Sequence, residues 1–268
     1  MSIVKIATIN ILFDMDCWQK RRQLLVEELT AINADLIGLQ EINIQEQTGH
    51  WLAQQLNMPY IYLVPFVERP YQHGPEYGIA ILSRYPFILE RQLDLQSQGR
   101  LAQYVQVNIN NQPLVFCNGH YYWQPGTTPA RMQQFQLLVN WLNELPQQTP
   151  IVAVGDFNAT PDTPEILFIR DHFTSAYAAH HGHEPEYTCP TPLVKTKNKL
   201  PRTIKRRIIN FLTNRTISPW CGTLDYIFIN QYINVCDCRL ILTKSAPDNQ
   251  EIYPSDHFGI IAEVKISQ

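Results

Sequence analysis

The alternation of apolar runs and polar residues predicts two strand–helix–strand units in this chain. In the first unit, an apolar run over Ile3–Ile9 ends at Asn10, and a second run over Ala34–Gln40 ends at Glu41. Between these runs, apolar residues recur at helical spacing, which predicts an amphipathic helix over Trp18–Ile32. The unit therefore places a polar side chain at the end of each strand.

The second unit repeats this design later in the chain. A strand over Leu114–Cys117 ends near His120, a helix is predicted over Ala130–Leu145, and a buried run then leads to Asp156. An isolated Asp-x-Asn pair such as Asp156 and Asn158 is more typical of a turn. The repeated design favours a site instead, because right-handed crossovers deliver these residues to strand ends, where open α/β sheets bind ligands.

The other apolar segments predict many strands and few further helices. The predicted strands are Tyr60–Val64, Gly78–Leu82, Phe87–Leu95, Leu101–Ile109, Leu224–Ile229, Val235–Leu242 and Gly259–Ile266, and the short helices are Trp51–Leu56 and Pro164–Ile169. So many strands indicate an α/β fold in which two packed, mainly antiparallel sheets are flanked by helices, a four-layer α/β sandwich.

Composition and charge narrow the class of protein. A chain of 268 residues with 45% apolar and 17% charged residues is typical of a globular protein, and we expect a single domain over 1–268. A net charge of −3 argues against a strongly basic nucleic-acid binder. We find no apolar segment long enough for a signal peptide or a membrane span, and no Cys-x-x-Cys motif among the six cysteines. We therefore expect a cytoplasmic monomer with reduced thiols, and Cys236 and Cys238 on one face of a strand.

The last third of the chain adds two polar features at strand ends. Asp225 lies among apolar residues in Thr223–Phe228, and Ser255-Asp256-His257 precedes the last strand. A buried aspartate is costly unless it is paired, and a nearby histidine is a natural partner.

Taken together, these residues resemble the motifs of the endonuclease/exonuclease/phosphatase superfamily, which has the deoxyribonuclease I-like fold. The motifs follow the family's order: Thr8-Ile-Asn10, Leu39-Gln-Glu41, Tyr77–Arg84, Asn118-Gly-His120, Gly155-Asp-Phe-Asn158, Leu224–Phe228 and Ser255-Asp-His257. The last two are most similar to the deadenylase and nocturnin branch. Two positions depart from the family pattern: Leu12 replaces a frequent second acid, and Gly-His-Tyr replaces Thr-His-Leu.

The resemblance implies hydrolysis of a phosphoester bond with Mg²⁺ or Mn²⁺ as cofactor, since these ions prefer hard oxygen ligands. It implies that Glu41 is the principal metal ligand, helped by Asn10 and Asp256. By the same resemblance, Asp156 orients or deprotonates the attacking water, and Asn158 holds that water or a phosphate oxygen.

The remaining implied roles concern proton donors and substrate contacts. His257, paired with Asp225, donates to the phosphoryl oxygen, and His120 does the same from the other half of the site. Tyr77 and Arg100 are candidates for binding the substrate phosphate or base.

Three interpretations of the substrate stay open. The first is a phosphodiesterase or nuclease that acts on nucleic acid or nucleotides, and the second is a phospholipid or inositol-phosphate hydrolase. The third is a non-catalytic, phosphate-binding member of the fold, which the clustered carboxylates disfavour.

Three other segments allow two interpretations each. A basic insertion at about 190–220 contains eight of the chain's 21 basic residues within Lys195–Arg215. It is either a solvated loop or, through a helix over Thr203–Thr213, a contact for a polyanion or an anionic membrane.

Tyr121-Tyr-Trp123 is either a base-stacking surface or a half-buried wall. His180-His-Gly-His183 is more typical of a solvated loop than of a zinc site.

Overall fold

The computed structural model describes residues 3–67, 77–193 and 221–267. The described strands form two sheets of six strands each, numbered in chain order. In spatial order the first sheet contains β11 (Ile233–Ile241), β12 (Gly259–Ile266), β1 (Val4–Asn10), β2 (Leu36–Asn43), β4 (Tyr77–Ser83) and β3 (Tyr60–Pro65). The second contains β5 (Phe87–Asp94), β6 (Leu101–Ile109), β7 (Gln112–His120), β8 (Ile151–Asp156), β10 (Asp225–Ile229) and β9 (Thr174–Ser175).

The five described helices are α1 (Trp18–Ile32), α2 (Thr48–Gln55), α3 (Pro129–Asn143), α4 (Pro164–Arg170) and α5 (Ala176–His181). In each sheet one central pair is parallel, β1 with β2 and β7 with β8, and the other pairs are antiparallel. These two parallel pairs are the predicted strand–helix–strand units, with α1 and α3 as their crossovers.

Three apolar layers hold the sandwich together. The inner faces of the sheets meet in one cluster, to which Ile6, Phe116 and Val154 belong. The outer face of the first sheet packs against α1 and α2, and the outer face of the second against α3 and α4. The prediction of a four-layer α/β sandwich with two mainly antiparallel sheets is confirmed.

A buried polar network joins the two sheets directly behind the strand ends. Gln40 donates through Nε2 to Asn118 Oδ1 at 2.7 Å and to Thr8 Oγ1 at 3.1 Å. Asn118 donates in turn to the carbonyls of Leu39 and Ala80, both at 3.0 Å. Since buried amides need partners, this network fixes the relative position of the two sheets.

Several local predictions differ from the structure. Helix α2 begins at Thr48 rather than at Trp51, because the buried Thr48 hydroxyl accepts a hydrogen bond from the Asn43 amide and orders the first turn. Strand β9 was not predicted from the sequence, because it is only two residues long. The basic segment Lys195–Arg215, with its predicted helix over Thr203–Thr213, lies outside the described residues.

The histidine cluster and the cysteine pair also need correction. His180 and His181 belong to α5, which the Ser175 side chain caps and which Gly182 ends, so the first half of the predicted loop is helical. Cys236 is exposed and Cys238 is buried, because a bulge in β11 between Val235 and Asp237 shifts the alternation of faces. All six cysteines are free.

Candidate active site

Three predicted residues form a row across adjacent strands of the second sheet. The β7–β8 register places His120 opposite Asp156, and the β8–β10 register places Asp225 opposite Asp156. Gly155, with φ 143°, lets β7 and β8 approach here, because a Cβ at this position would clash with the carbonyl of Gly119. The strand register therefore places these three residues in a row, and Gly155 permits the close approach of β7 and β8 that the register requires.

Asp156 lies at the centre of the candidate site and connects the two sheets. Its Oδ2 accepts a hydrogen bond from Asn10 Nδ2 at 3.1 Å and lies 3.4 Å from His120 Nε2, while its Oδ1 accepts from the Asn158 amide at 2.9 Å. Burial raises the pKa of Asp156 to about 7; His257 lowers it and Asp225 raises it further. Asp156 can therefore gain or lose a proton near neutral pH.

His257 and Asp225 form a buried pair beside Asp156. His257 Nδ1 lies 2.9 Å from Asp225 Oδ2, which also accepts from the Thr188 hydroxyl at 2.6 Å. Burial opposes the charge on the imidazole, but Asp225, Cys189 and Asp156 outweigh it and raise the pKa of His257 well above its usual value. Its Nε2 lies 4.0 Å from Asp156 Oδ2. The pair thus presents a charged proton donor toward Asp156.

His120 has the opposite electrostatic environment. Arg100 Nη1 lies 2.8 Å from His120 Nδ1. Because a guanidinium can only donate, we assign Nδ1 as the acceptor and place the ring proton on Nε2, which faces Asp156. Burial, with the charges of Arg100 and His257, lowers the pKa of His120 well below its usual value. His120 is therefore a neutral donor at physiological pH.

Arg100 is buried, with 3% of its surface exposed, and is held by two aromatic rings. Its guanidinium carbon lies 4.9 Å from the ring centroid of Phe66 and 5.5 Å from that of Tyr77. Tyr77 in turn stacks on Phe13 with centroids 4.8 Å apart. The two residues predicted to bind substrate thus lie in one stack, with Arg100 behind His120 and Tyr77 partly exposed.

Glu41 and Asp256 form a second acidic group beside the row. Glu41 has a left-handed backbone, φ 56°, next to a bulge in β2, and its Oε2 accepts from the Phe13 amide at 3.3 Å. Burial raises the pKa of Glu41, and the charge of Asp256 raises it further. The two carboxylates repel each other, and a cation between them would relieve this repulsion. Together with the amide oxygen of Asn10 they offer the hard oxygen donors that Mg²⁺ or Mn²⁺ prefers, so the residues present fit such an ion.

A different trio is also close enough to share an ion. Ligand atoms of Asp156, Asp225 and His257 lie within 4.8 Å of one another, which no other group of three His, Cys, Asp or Glu residues achieves in the described part of the chain. However, His257 Nδ1 is already hydrogen-bonded to Asp225 Oδ2, and the charge of Asp225 raises the pKa of His257, which disfavours the neutral imidazole that a metal ion needs. We therefore place the candidate cation position at Glu41 and Asp256.

The structure brings the ten sequence-predicted site residues to one end of the sandwich. Thr188 is a contact that sequence analysis missed, because nothing in its local pattern connects it to Asp225, 37 residues away. The aromatic run divides: Tyr121 is fully buried and stacks on Phe157, whereas Trp123 is 56% exposed. Tyr122 is partly exposed, so Trp123 offers the most open surface for stacking among the three rings.

Comparison with known proteins gives a consistent result. Residues 7–257 match the Endonuclease/Exonuclease/phosphatase family. The chain is 24% identical to nocturnin of Xenopus laevis over 94% of its own length and 66% of the relative's. It is 22% identical to 2',5'-phosphodiesterase 12 of Mus musculus over 91% of its own length and 46% of the relative's. The chain thus spans about half to two thirds of the length of these relatives.

Solved structures match the fold over nearly the whole chain. The human nocturnin catalytic domain with bound sulfate superimposes with a TM-score of 0.74 at 20% identity, covering 99% of this chain and 95% of that one. D. rerio TDP2 complexed with a single-strand DNA product gives a TM-score of 0.75 at 18% identity, covering 99% and 100%. A Bacteroides vulgatus protein of the same family gives 0.75 at 19% identity, covering 100% of both chains.

Proposed function

Because this chain belongs to the endonuclease/exonuclease/phosphatase family, we propose that it is a Mg²⁺- or Mn²⁺-dependent phosphodiesterase that acts on nucleic acid or nucleotides. The observation that carries the proposal is the position of Asp156, a carboxyl with a pKa of about 7, between the Nε2 atoms of two histidines at 3.4 and 4.0 Å. One histidine is charged and one is neutral, so a base and two donors of different strength face one small volume.

The bound cation would neutralise phosphate charge and stabilise the leaving oxygen. Glu41, Asn10 and Asp256 offer its ligands. Asn10 is well oriented for this, since its Oδ1 accepts from the Leu12 amide at 3.0 Å while its Nδ2 donates to Asp156.

Asp156 would orient the attacking water and accept its proton. An ionised carboxylate offers about four acceptor positions; Asn10 and Asn158 occupy two of them, and His120 Nε2 faces a third at 3.4 Å. The remaining position is available to a water molecule. A pKa near the working pH is favourable for general base catalysis, which supports this role.

His257 and His120 would stabilise the phosphoryl oxygens as charge develops. The Asp225 carboxylate keeps His257 charged, so that it can transfer a proton, whereas the contact from Arg100 keeps His120 as a neutral hydrogen-bond donor. Asn158 donates one amide hydrogen to the Tyr121 carbonyl at 3.1 Å and keeps the second for water or a phosphate oxygen. Tyr77, which is partly exposed, would contact the substrate directly. Arg100 lies behind His120 and would contribute positive charge near the substrate phosphate.

The substrate class is supported by two relatives and one side chain. The D. rerio TDP2 structure holds a single-strand DNA product, and another relative is called a 2',5'-phosphodiesterase. The exposed Trp123 follows His120 closely and offers a face on which a base can stack. No described helix has the length and apolar character needed to span a bilayer. A single catalytic domain, a cytoplasmic location and a monomeric state are part of the proposal, and the six free thiols support the location.

Hydrolysis assays test this function directly. A nitrophenyl phosphodiester, RNA, DNA, nucleotides, phospholipids and inositol phosphates are compared with Mg²⁺, with Mn²⁺ and with EDTA. We expect metal-dependent turnover of nucleic acid or nucleotides that Asp156→Asn abolishes and Asp162→Asn spares, because Asp162 is an exposed acid on the same loop. Preference for lipid or inositol phosphates would refute the substrate class, and lack of turnover on every substrate would favour a binding protein.

A further inference from the structure

Two buried arginines occupy matching positions in the two halves of the fold. Arg21 on α1 follows Asn10 by eleven residues, and Arg131 on α3 follows His120 by eleven residues. Arg21 is 0% exposed and Arg131 is 1% exposed. Each therefore lies beneath the loop that leaves a strand ending in the candidate site.

All five N–H groups of Arg21 are used, and all of them donate to backbone carbonyls. Nε donates to Asp16, Nη1 to Ile11 at 3.0 Å and to Pro254 at 3.4 Å, and Nη2 to Leu12 at 3.2 Å and to Asp14. Four of these carbonyls belong to the loop at 11–16, and the fifth comes from the segment before Ser255-Asp256-His257. One side chain thus binds together the backbone next to Asn10 and the backbone next to Asp256.

The loop at 11–16 needs such support. Leu12 has φ 58° and Cys17 has φ 55°, a left-handed conformation that is unfavourable for residues with a Cβ and persists only where the surroundings enforce it. Helix α1 also begins without a side-chain cap, so its first residues do not hold the loop. A second link runs in parallel, since the Ser255 hydroxyl donates to the Asn10 carbonyl at 2.6 Å.

Arg131 makes the corresponding contacts in the other half. Nη1 donates to the carbonyls of Tyr122 at 3.2 Å and Gln124 at 3.0 Å, and Nη2 donates to Gly126 and to Glu165. These carbonyls flank the exposed Trp123 and are remote in sequence from Glu41 and Asp256. The two arginines are therefore equally buried and both bind a loop through its carbonyls, but Arg131 also pairs with the Glu165 carboxylate, and the two support different parts of the site.

We propose that Arg21 is a positioning residue for the divalent cation, because it fixes the spacing of the backbone segments that carry Asn10 and Asp256, whereas Arg131 positions the loop at 122–126 for the substrate. The inference rests on the proposed function. Residues that orient metal ligands typically change metal affinity by about 10- to 100-fold when they are altered, which sets the expected effect of losing the Arg21 contacts. A purely structural role would instead lower stability in both variants and leave cation and substrate affinity unchanged.

The test compares Arg21→Lys with Arg131→Lys, and uses Arg22→Lys, at a partly exposed position on the same helix, as a control. Lysine keeps the charge but has three donors on one atom, so it cannot reproduce a five-donor fork. Mn²⁺ binding to each folded protein is measured without substrate by the electron paramagnetic resonance signal of the free ion. We expect Arg21→Lys to raise the Mn²⁺ dissociation constant about tenfold or more and to leave kcat at saturating Mn²⁺ within about threefold. Arg131→Lys should leave Mn²⁺ binding unchanged and raise KM for an oligonucleotide.

Unchanged Mn²⁺ affinity in Arg21→Lys, or an equal loss in Arg131→Lys, would overturn the inference. If Arg21→Lys does not fold, Ser255→Ala removes the parallel link, and unchanged Mn²⁺ affinity in that variant would overturn it equally. Failure of the wild-type protein to bind Mn²⁺ and to hydrolyse any diester would instead refute the proposed function.

Discussion

Replacing Asp156 by asparagine should change how the stability of the protein depends on pH. Burial raises the pKa of Asp156 from 3.8 to about 7 in the folded protein. Between these values the folded protein holds a proton that the unfolded chain has released. Stability must therefore fall as pH rises through this range, and the asparagine variant, which has no proton to lose, escapes this loss.

The magnitude follows from the pKa difference. From pH 5 to pH 7 each pH unit costs the wild-type protein about 1.4 kcal/mol, so the two units together cost somewhat less than about 3 kcal/mol. The variant also loses hydrogen bonds, because an amide nitrogen would face the donors of Asn10 and His120. That loss, about 1–3 kcal/mol, is the same at every pH, so only the slope is diagnostic.

Urea denaturation in EDTA at several pH values between 5 and 8 measures this slope. We expect the free energy of unfolding of Asp156→Asn, relative to wild type, to increase by about 2–3 kcal/mol from pH 5 to pH 7. The exposed Asp162→Asn serves as control and should follow the wild type. Parallel curves for wild type and Asp156→Asn would show that Asp156 is ionised throughout, and the argument for a base with a pKa near neutrality would fail.

Other changes probe the remaining parts of the site. Glu41→Gln should weaken Mn²⁺ binding but leave or raise the melting temperature in EDTA at pH 8, because burial and Asp256 disfavour the Glu41 charge; a lower melting temperature would contradict this. His257→Ala and Asp225→Asn should each reduce kcat by about 10²- to 10⁴-fold, and near-wild-type turnover in steady-state assays would exclude the proposed donor. In the basic segment, replacing Lys205, Arg206 and Arg207 with glutamine should raise KM for polymeric substrates, flatten the salt dependence of KM and spare kcat on a small diester. Unchanged KM would favour the interpretation of a solvated loop.

Much of the fold was predictable because each signal was periodic and local. The bounds of α1 agree with its apolar stripe, and the runs ending at Asn10, Glu41 and Asp156 became central strands, since continuous apolar runs indicate strands buried on both faces. Helix α5 was also encoded, by Ser175 as N-cap and Gly182 in the left-handed conformation after the last residue. Its six residues are too short to show a periodic stripe, so the capping signals alone would have had to identify it.

The pairing of His257 with Asp225 was expected from the sequence, but two other contacts around the site were not predictable from it. That Arg100 meets His120 depends on the packing of Phe66 and Tyr77 beneath the guanidinium. The contact between Thr188 and Asp225 joins two residues that are 37 positions apart in the chain. Such contacts arise from tertiary packing between segments distant in the chain, and no local spacing records them.

The two histidines show why these contacts matter more than the residue types. His120 and His257 present Nε2 to the same carboxylate oxygen, but the Nδ1 of His120 faces a guanidinium while the Nδ1 of His257 faces a carboxylate. The first contact is only compatible with a neutral ring, and the second favours a charged one. A second charged imidazole at His120 would place another cation beside Arg100, and its attraction would also lower the pKa of Asp156. A neutral His120 thus leaves Asp156 with a pKa near neutrality, so the arginine behind one histidine helps to set the basicity of the aspartate in front of it.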